Sequence, residues 1–275
     1  MRRMGSGRRG PVLWMARAAV VSVGLVFTQS THRYRLDGQP VSGVTTLIGK
    51  GLPKPALTYW SAKMVAEWVA DNEADVEALR RMGRGPMINA LKGVPWEKRD
   101  TAAVRGTDVH ALAEQLVHGQ QVEVPEHLRG YVEGYVRWLD EFAPEPIWTE
   151  RPVGNRTWHY AGTFDLIARL MGETWLLDVK TSARVYGDNA IQLAAYAGAE
   201  FLIDHEGVEQ PIPQIDRLGI LHVREDGTTL HPVRDGGAEA AWKDFLHIGW
   251  VANAETRIKG YMAEPILEPT AVADA

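Results

Sequence analysis

Three observations along this 275-residue chain predict an α/β fold, a layered core with a mainly helical cap ahead of it. Two extended, largely apolar segments, Tyr160–Leu170 and Thr174–Ser182, flank turn-forming Met171-Gly172-Glu173 and read as a hairpin. Helical patterns stand on both sides of it: about Gly106–Val117 and Pro125–Phe142 before, Asn189–Leu202 after, the last with Asp188 or Asn189 as N-cap. Further strands are expected near Arg217–Val223 and Thr229–Val233, followed by a closing helix from about Ala238 to Tyr261.

Ahead of this core, His32 to Ile48 reads as two short strands around the turn residues Asp37–Pro40. Gly51-Leu-Pro-Lys-Pro55 breaks the chain, and helices follow over about Ala56–Ala70 and Glu73–Met82. Trp60, Met64 and Trp68 recur every fourth residue, a stripe that suits core packing better than base stacking. Arg84 to Asp100, rich in glycine, proline and basic residues, reads as a mobile loop. The expected organisation is an extension over 1–30, a strand and helical cap over 31–104, a core over 105–262 and a disordered tail over 263–275.

Five arginines in the first 17 residues precede the apolar run Ala18–Phe27. That run is far short of the ~20 residues a membrane-spanning helix needs. A basic start and a short apolar run also match a secretory signal, but Thr28-Gln-Ser30 is a poor cleavage site. The alternative is a β-branched strand over Val20–Thr28 behind a basic lead, with Met4 and Met15 as later starts. The balance favours a cytoplasmic protein over a secreted one, with no membrane partner.

The chain has no cysteine, which excludes disulfides and cysteine-ligated iron–sulfur clusters. Any metal must then be held by oxygen and imidazole, a set that favours magnesium or manganese. The net charge of −5 does not by itself suggest a nucleic-acid binder. Its distribution is more informative. Arg80, Arg81, Arg84, Lys92, Lys98, Arg99 and Arg105 face only Glu97 and Asp100 in one stretch, which leads directly into the segment bearing His110. Such a stretch can hold a phosphate backbone or form a solvated helix face.

The chemistry-bearing residues are Asp165, Asp178 and Lys180. Strand side chains alternate faces, so Asp178 and Lys180 point the same way and Val179 the other, into apolar company. An Asp-x-Lys pair can be a weak surface ion pair. Here it follows the wholly apolar Trp175-Leu176-Leu177, which marks a strand covered on both faces. Charges at the end of such a strand are costly unless a metal or partner holds them. Two helices carry further pairs on shared faces, His110 with Glu114 and Gln192 with Tyr196, each four apart.

Taken in order, Gly106-Thr-Asp-Val-His110, Gly162-Thr-Phe-Asp165, Asp178-Val-Lys180 and Gln192-Leu-Ala-Ala-Tyr196 resemble the motif series of the PD-(D/E)XK nuclease superfamily, in its RecB-type and phage exonuclease branch. The resemblance covers about Arg105 to Phe201. It implies a restriction-endonuclease-like core, a central mixed sheet flanked by helices, and a DNA partner, with a single-strand annealing or recombination protein as a further one. It also implies Mg2+ or Mn2+ on Asp165, Asp178 and the Val179 carbonyl, with His110 as imidazole ligand from the facing helix. Lys180 is then a cationic donor beside the attacking water. Glu114 either joins a second metal or is a solvated helix acid. Gln192 and Tyr196 contact the scissile phosphate or brace Lys180, with Tyr196 alternatively a packing residue. Arg80, Arg81, Arg84, Arg105 and Thr181 are the candidate DNA contacts, and the remaining histidines read as structural or exposed. The expected activity is metal-dependent DNA exonuclease action in recombination or end processing. The alternatives are an endonuclease on the same fold, a catalytically silent DNA-end-binding module, and a secreted hydrolase.

Overall fold

The computed structural model describes residues 24–264. The basic lead, the first four residues of the expected Val20–Thr28 strand and most of the 263–275 tail lie outside the described residues. The chain runs β1 (Leu25–Thr28), β2 (Arg33–Leu36), β3 (Gln39–Gly43), α1 (Val44–Gly51), α2 (Pro55–Asp71), α3 (Glu73–Met82), α4 (Arg84–Val117) and α5 (Arg129–Phe142). It continues through β4 (Glu145–Asn155), β5 (Tyr160–Leu170), β6 (Glu173–Lys180), α6 (Gly187–Ala197), β7 (Phe201–Ile203), β8 (Glu209–Pro211), β9 (Arg217–Arg224), β10 (Gly227–Pro232), α7 (Gly237–Ala252) and α8 (Ala254–Ile258).

One curled mixed sheet organises the molecule. Its order is β1-β2-β3-β5-β4-β7-β8, with β6, β9 and β10 extending in turn from β5. The β5–β6 hairpin pairs Leu166 with Leu177 through Leu170 with Glu173. Its two-residue turn places Met171 and Gly172 at φ 51 and 81, the left-handed pair that matches strand twist. Beyond the hairpin, β6 runs parallel to β9 and β9 antiparallel to β10.

Helices cover both faces. On one, Val44 and Ile48 of α1, Leu193 and Tyr196 of α6, and Phe245 of α7 pack against Phe164, Ile167, Leu176 and Ile220. On the other, Val109 and Ala113 of α4 join Tyr131, Tyr135 and Trp138 of α5 over Leu166, Leu177, Val179 and Leu221. Burying such side chains stabilises by about 1.5–3 kcal/mol each before the entropy of ordering is subtracted.

The structure corrects several elements. Val44–Ile48 is helical, not strand: Val44, Leu47, Ile48 and Gly51 are all buried at i, i+3, i+4, i+7 spacing, and that stripe seats α1 on α7. Tertiary burial overrides the β-branched composition there. Arg84–Asp100 is the first half of the long helix α4, not a mobile loop. Pro86 sits in the first turn, where no hydrogen bond is lost, and Pro95 is carried inside a helix that packs against α2 and α3. This helix also runs through the expected 104/105 boundary. The α6 helix ends at Ala197, so Phe201 and Leu202 belong to a strand, and the closing helix breaks at Asn253. Asn189 acts as the inward member of the cap, its Oδ1 accepting the Tyr186 N–H at 2.9 Å. Of the Trp60, Met64 and Trp68 stripe, Met64 is buried. No helix among the described residues is long and apolar enough to cross a membrane.

Candidate functional site

The site lies where the β5–β6 hairpin stops pairing. One edge of β5 is held by β4 along its length; the other pairs with β6 only from Leu166 onward, and with β3 only at Tyr160 and Ala161. Between these, the edge from Gly162 to Asp165 has no ladder partner among the described residues. After Leu177, β6 continues through Lys180 paired with β9 alone. A backbone donor released into such a rift needs an acceptor. Asp165 provides it: Oδ2 accepts the Val179 N–H at 2.7 Å.

The strand is irregular at this point. Phe164 packs in one core cluster and Leu166 in the other, although plain alternation would place both on one face. Across the ladder, between the pairs Thr149–Leu166 and Arg151–Phe164, stands Glu150 with φ 48, a left-handed backbone that costs a non-glycine residue energy. The register sets Glu150 opposite Asp165, and one ligand atom of each lies within reach of the other. His110 on α4 closes the group: its Nδ1 is 3.3 Å from Asp165 Oδ2, and one ligand atom each of His110, Glu150 and Asp165 lies within 4.8 Å of the others. These three line a small pocket with Glu114 and Val179, of about 10 Å³, the scale of one water or ion.

Asp178 is placed differently. It is 1 % exposed, and Gln192 Nε2 donates to its Oδ1 at 2.9 Å. Lys180 Nζ stands 2.5 Å from Oδ2. That buried ion pair is what holds Oδ2 among the described residues. Gln192 also reaches Tyr196 Oη at 3.0 Å. Tyr196 is buried in the core, where it braces Gln192 and not Lys180, and Gly162 is required opposite it because a Cβ there would come within 2.5 Å of its ring.

Charge in this pocket is predominantly negative. Burial, then Asp165, Glu114 and Asp178, push the Glu150 carboxyl up to about 8. Burial likewise raises Asp178, to about 6, with Lys180 opposing and Asp165 adding to the rise. Burial pulls Lys180 down, but Asp178 and Asp165 outweigh it, so the amine ends above its ordinary value and stays charged. Tyr196 is held well above its usual range by burial and then by Asp178 and Asp165. The His110–Asp165 contact is favourable only with a proton or a cation between the two atoms. The donor set, one imidazole and carboxylates with no thiolate, fits a hard divalent cation.

A scan against protein-family models finds no match to this chain, and a search of curated proteins finds none. The site therefore rests on its own geometry.

That geometry divides the candidate DNA contacts. Arg105 and Thr181 come together beside the site, lining a cavity of about 450 Å³ with Ser182 and Arg224. Arg105 Nε is buried there without a partner among the described residues, and its guanidinium lies 5.6 Å from the Tyr131 ring. Arg80, Arg81 and Arg84 lie elsewhere. Arg84 opens α4, 26 residues before His110, or about 39 Å along the helix at ~1.5 Å per residue. Arg80 and Arg81 are exposed at the end of α3 beside Glu77, at 3.8 and 3.4 Å. Arg84 thus stands far along α4 from His110, whereas Arg105 stands close to it.

Sequence reasoning missed Glu150. The available signal was weak, because Pro146, Pro152 and Gly154 obscure the strand that carries it. Among the other histidines, His118 and His222 make structural hydrogen bonds, to Thr149 and to the Ser182 carbonyl, while His32 lines the outer cleft.

Proposed function

We propose that this chain is a metal-dependent DNA nuclease built on a restriction-endonuclease-like core, acting as an exonuclease. The observation that carries the reading is the convergence of His110, Glu150 and Asp165 at the rift that also holds the Asp178–Lys180 pair. The order of the four motifs along the chain supports the end-directed activity.

A Mg2+ or Mn2+ ion held by His110, Glu150 and Asp165 would neutralise charge on the phosphoryl oxygens and make water more acidic. The chain's own groups have separable tasks. Glu150 exchanges its proton for the cation, and its raised carboxyl makes that exchange pH-dependent. Asp178, fixed by Gln192, holds the Lys180 ammonium at one end of β6. Lys180 stays protonated, so it is a hydrogen-bond donor and electrostatic stabiliser for the attacking water and the reacting phosphate, not a general base. Hydrolysis forms a bond from water oxygen to phosphorus and breaks the bond to the departing sugar oxygen, which takes up a proton. Arg105 and Thr181 are suited to hold a flanking phosphate.

The test is digestion of end-labelled linear and covalently closed circular DNA with Mg2+, Mn2+ or EDTA. Linear DNA should shorten from its ends with either metal and survive in EDTA, and Lys180→Ala should be inactive. Circles nicked as fast as linear DNA is degraded would overturn the exonuclease reading, and cleavage in EDTA would overturn the metal.

A further inference from the structure

Outside the carboxylate cluster, one wall of the site is aromatic. A cleft of about 820 Å³ has His110, Glu114 and Glu150 on one side and Phe27, His32 and Tyr34 on the other. These three rings come from β1, β2 and the turn joining them. Phe27 and Tyr34 stack with centroids 4.6 Å apart and planes at 23°, and His32 meets the Phe27 ring edge-on at 6.0 Å. Phe27 belongs to none of the core clusters, and His32 is exposed.

This wall is fixed to the strand that carries the site. Tyr34 Oη and Thr163 Oγ1 are 2.9 Å apart, two residues from Asp165. The Gly24 N–H donates to Asp37 at 2.9 Å, and Arg156 ties Asp37 to Glu209 across the sheet. His32 is held at φ 48, a left-handed backbone that the surrounding hairpin must impose. An exposed His32 and a half-buried Phe27, with Tyr34 stacked against it, thus stand on a pinned hairpin across the cleft from a candidate cation site.

We propose that Phe27, His32 and Tyr34 form a stacking wall for an unpaired nucleobase, so that the DNA entering this cleft is single-stranded. The inference rests on the nuclease reading above and adds the form of substrate. A paired base cannot present its face to a side chain, whereas a splayed one stacks whatever its identity. Arg151, which also lines the cleft, supplies a cation for the adjacent phosphate.

The experiment measures binding without cleavage, in Ca2+, of a fluorescein-labelled single-stranded oligonucleotide and a blunt duplex, alongside a single strand carrying one 2-aminopurine. Phe27→Leu keeps an apolar side chain but removes the aromatic face, and Phe27→Trp restores it; a His32→Ala variant tests the exposed ring, and thermal melts check folding. Phe27→Leu and His32→Ala should each weaken single-strand binding by about tenfold, leave the duplex nearly unchanged and relieve 2-aminopurine quenching, with Phe27→Trp near wild type. Unchanged single-strand affinity in folded Phe27→Leu and His32→Ala, or equal losses on both DNA forms, would overturn the stacking wall and leave the nuclease reading intact. Wild-type protein that binds neither form would overturn both.

Discussion

The two halves of the β5–β6 hairpin are built from the same strands and do opposite things. Towards the turn, Leu166–Leu170 pairs with Glu173–Leu177, both faces are covered, and most of the side chains are apolar. Beyond Leu166 and Leu177 the ladder opens, and Asp165, Asp178 and Lys180 appear within three residues of the split. The paired half gives the molecule its stability, and the open half concentrates charge that stability alone would not tolerate. Charge is admitted where the ladder ends because released backbone donors, such as the Val179 N–H, help to satisfy it.

Mutations should separate the halves. Lys180→Ala in the open half should lower cleavage by roughly 10²–10⁴-fold, the scale for loss of a positioned charged donor. Its stability should fall mainly at neutral pH and above, where buried Asp178 is left without its cation, and less at low pH, where Asp178 is protonated. An active Lys180→Ala protein would remove β6 from the site. Leu177→Ala in the paired half should do the reverse, costing about 2–5 kcal/mol of stability while the folded fraction keeps its metal response; chemical denaturation measures the loss.

Smaller effects test the supports. Gln192→Ala should reduce activity by about 10–100-fold, as expected for a group that orients a functional carboxylate. If Gln192 acts through Asp178, the Gln192→Ala, Asp178→Asn double variant should be little worse than Asp178→Asn alone. Neutralising Arg80, Arg81 and Arg84 should have the least effect. With Arg84 about 39 Å from His110 along α4, roughly one turn of duplex, the loss should appear only with long substrates. Equal loss on long and short oligonucleotides would place these arginines at the site after all.

Much of the open half was legible in the sequence, because strand periodicity is strict. Two residues from Asp178 to Lys180 fix their common side, and the apolar Trp175-Leu176-Leu177 marks the strand as covered. Four-residue spacing likewise placed His110 with Glu114 and Gln192 with Tyr196. What stayed hidden depends on distant contacts. Glu150 sits at a left-handed irregularity in a proline-bearing strand, so no alternation announces it. The α1 helix is concealed by Val44, Thr45 and Thr46, and the first half of α4 by Gly85, Pro86, Gly93 and Pro95. In those segments packing against α7, α2 and α3 decides the conformation.

The central claim, that Glu150 and Asp165 with His110 form a divalent-cation site, has a direct measurement in the pH dependence of Mn2+ binding and of thermal stability. The folded protein holds the Glu150 proton up to about pH 8, above the ordinary carboxylate range. That contribution to stability is present at low pH and is lost as pH rises towards 8. Mn2+ competes with the same proton, so its affinity should climb over this window. Wild-type protein in EDTA should therefore melt lower at about pH 8 than at about pH 6, with Mn2+ reversing the loss. Glu150→Gln should flatten the melting curve against pH and weaken Mn2+ binding at about pH 8 by at least tenfold. Calorimetric titration showing the same Mn2+ affinity and pH dependence in wild type and Glu150→Gln would contradict the site.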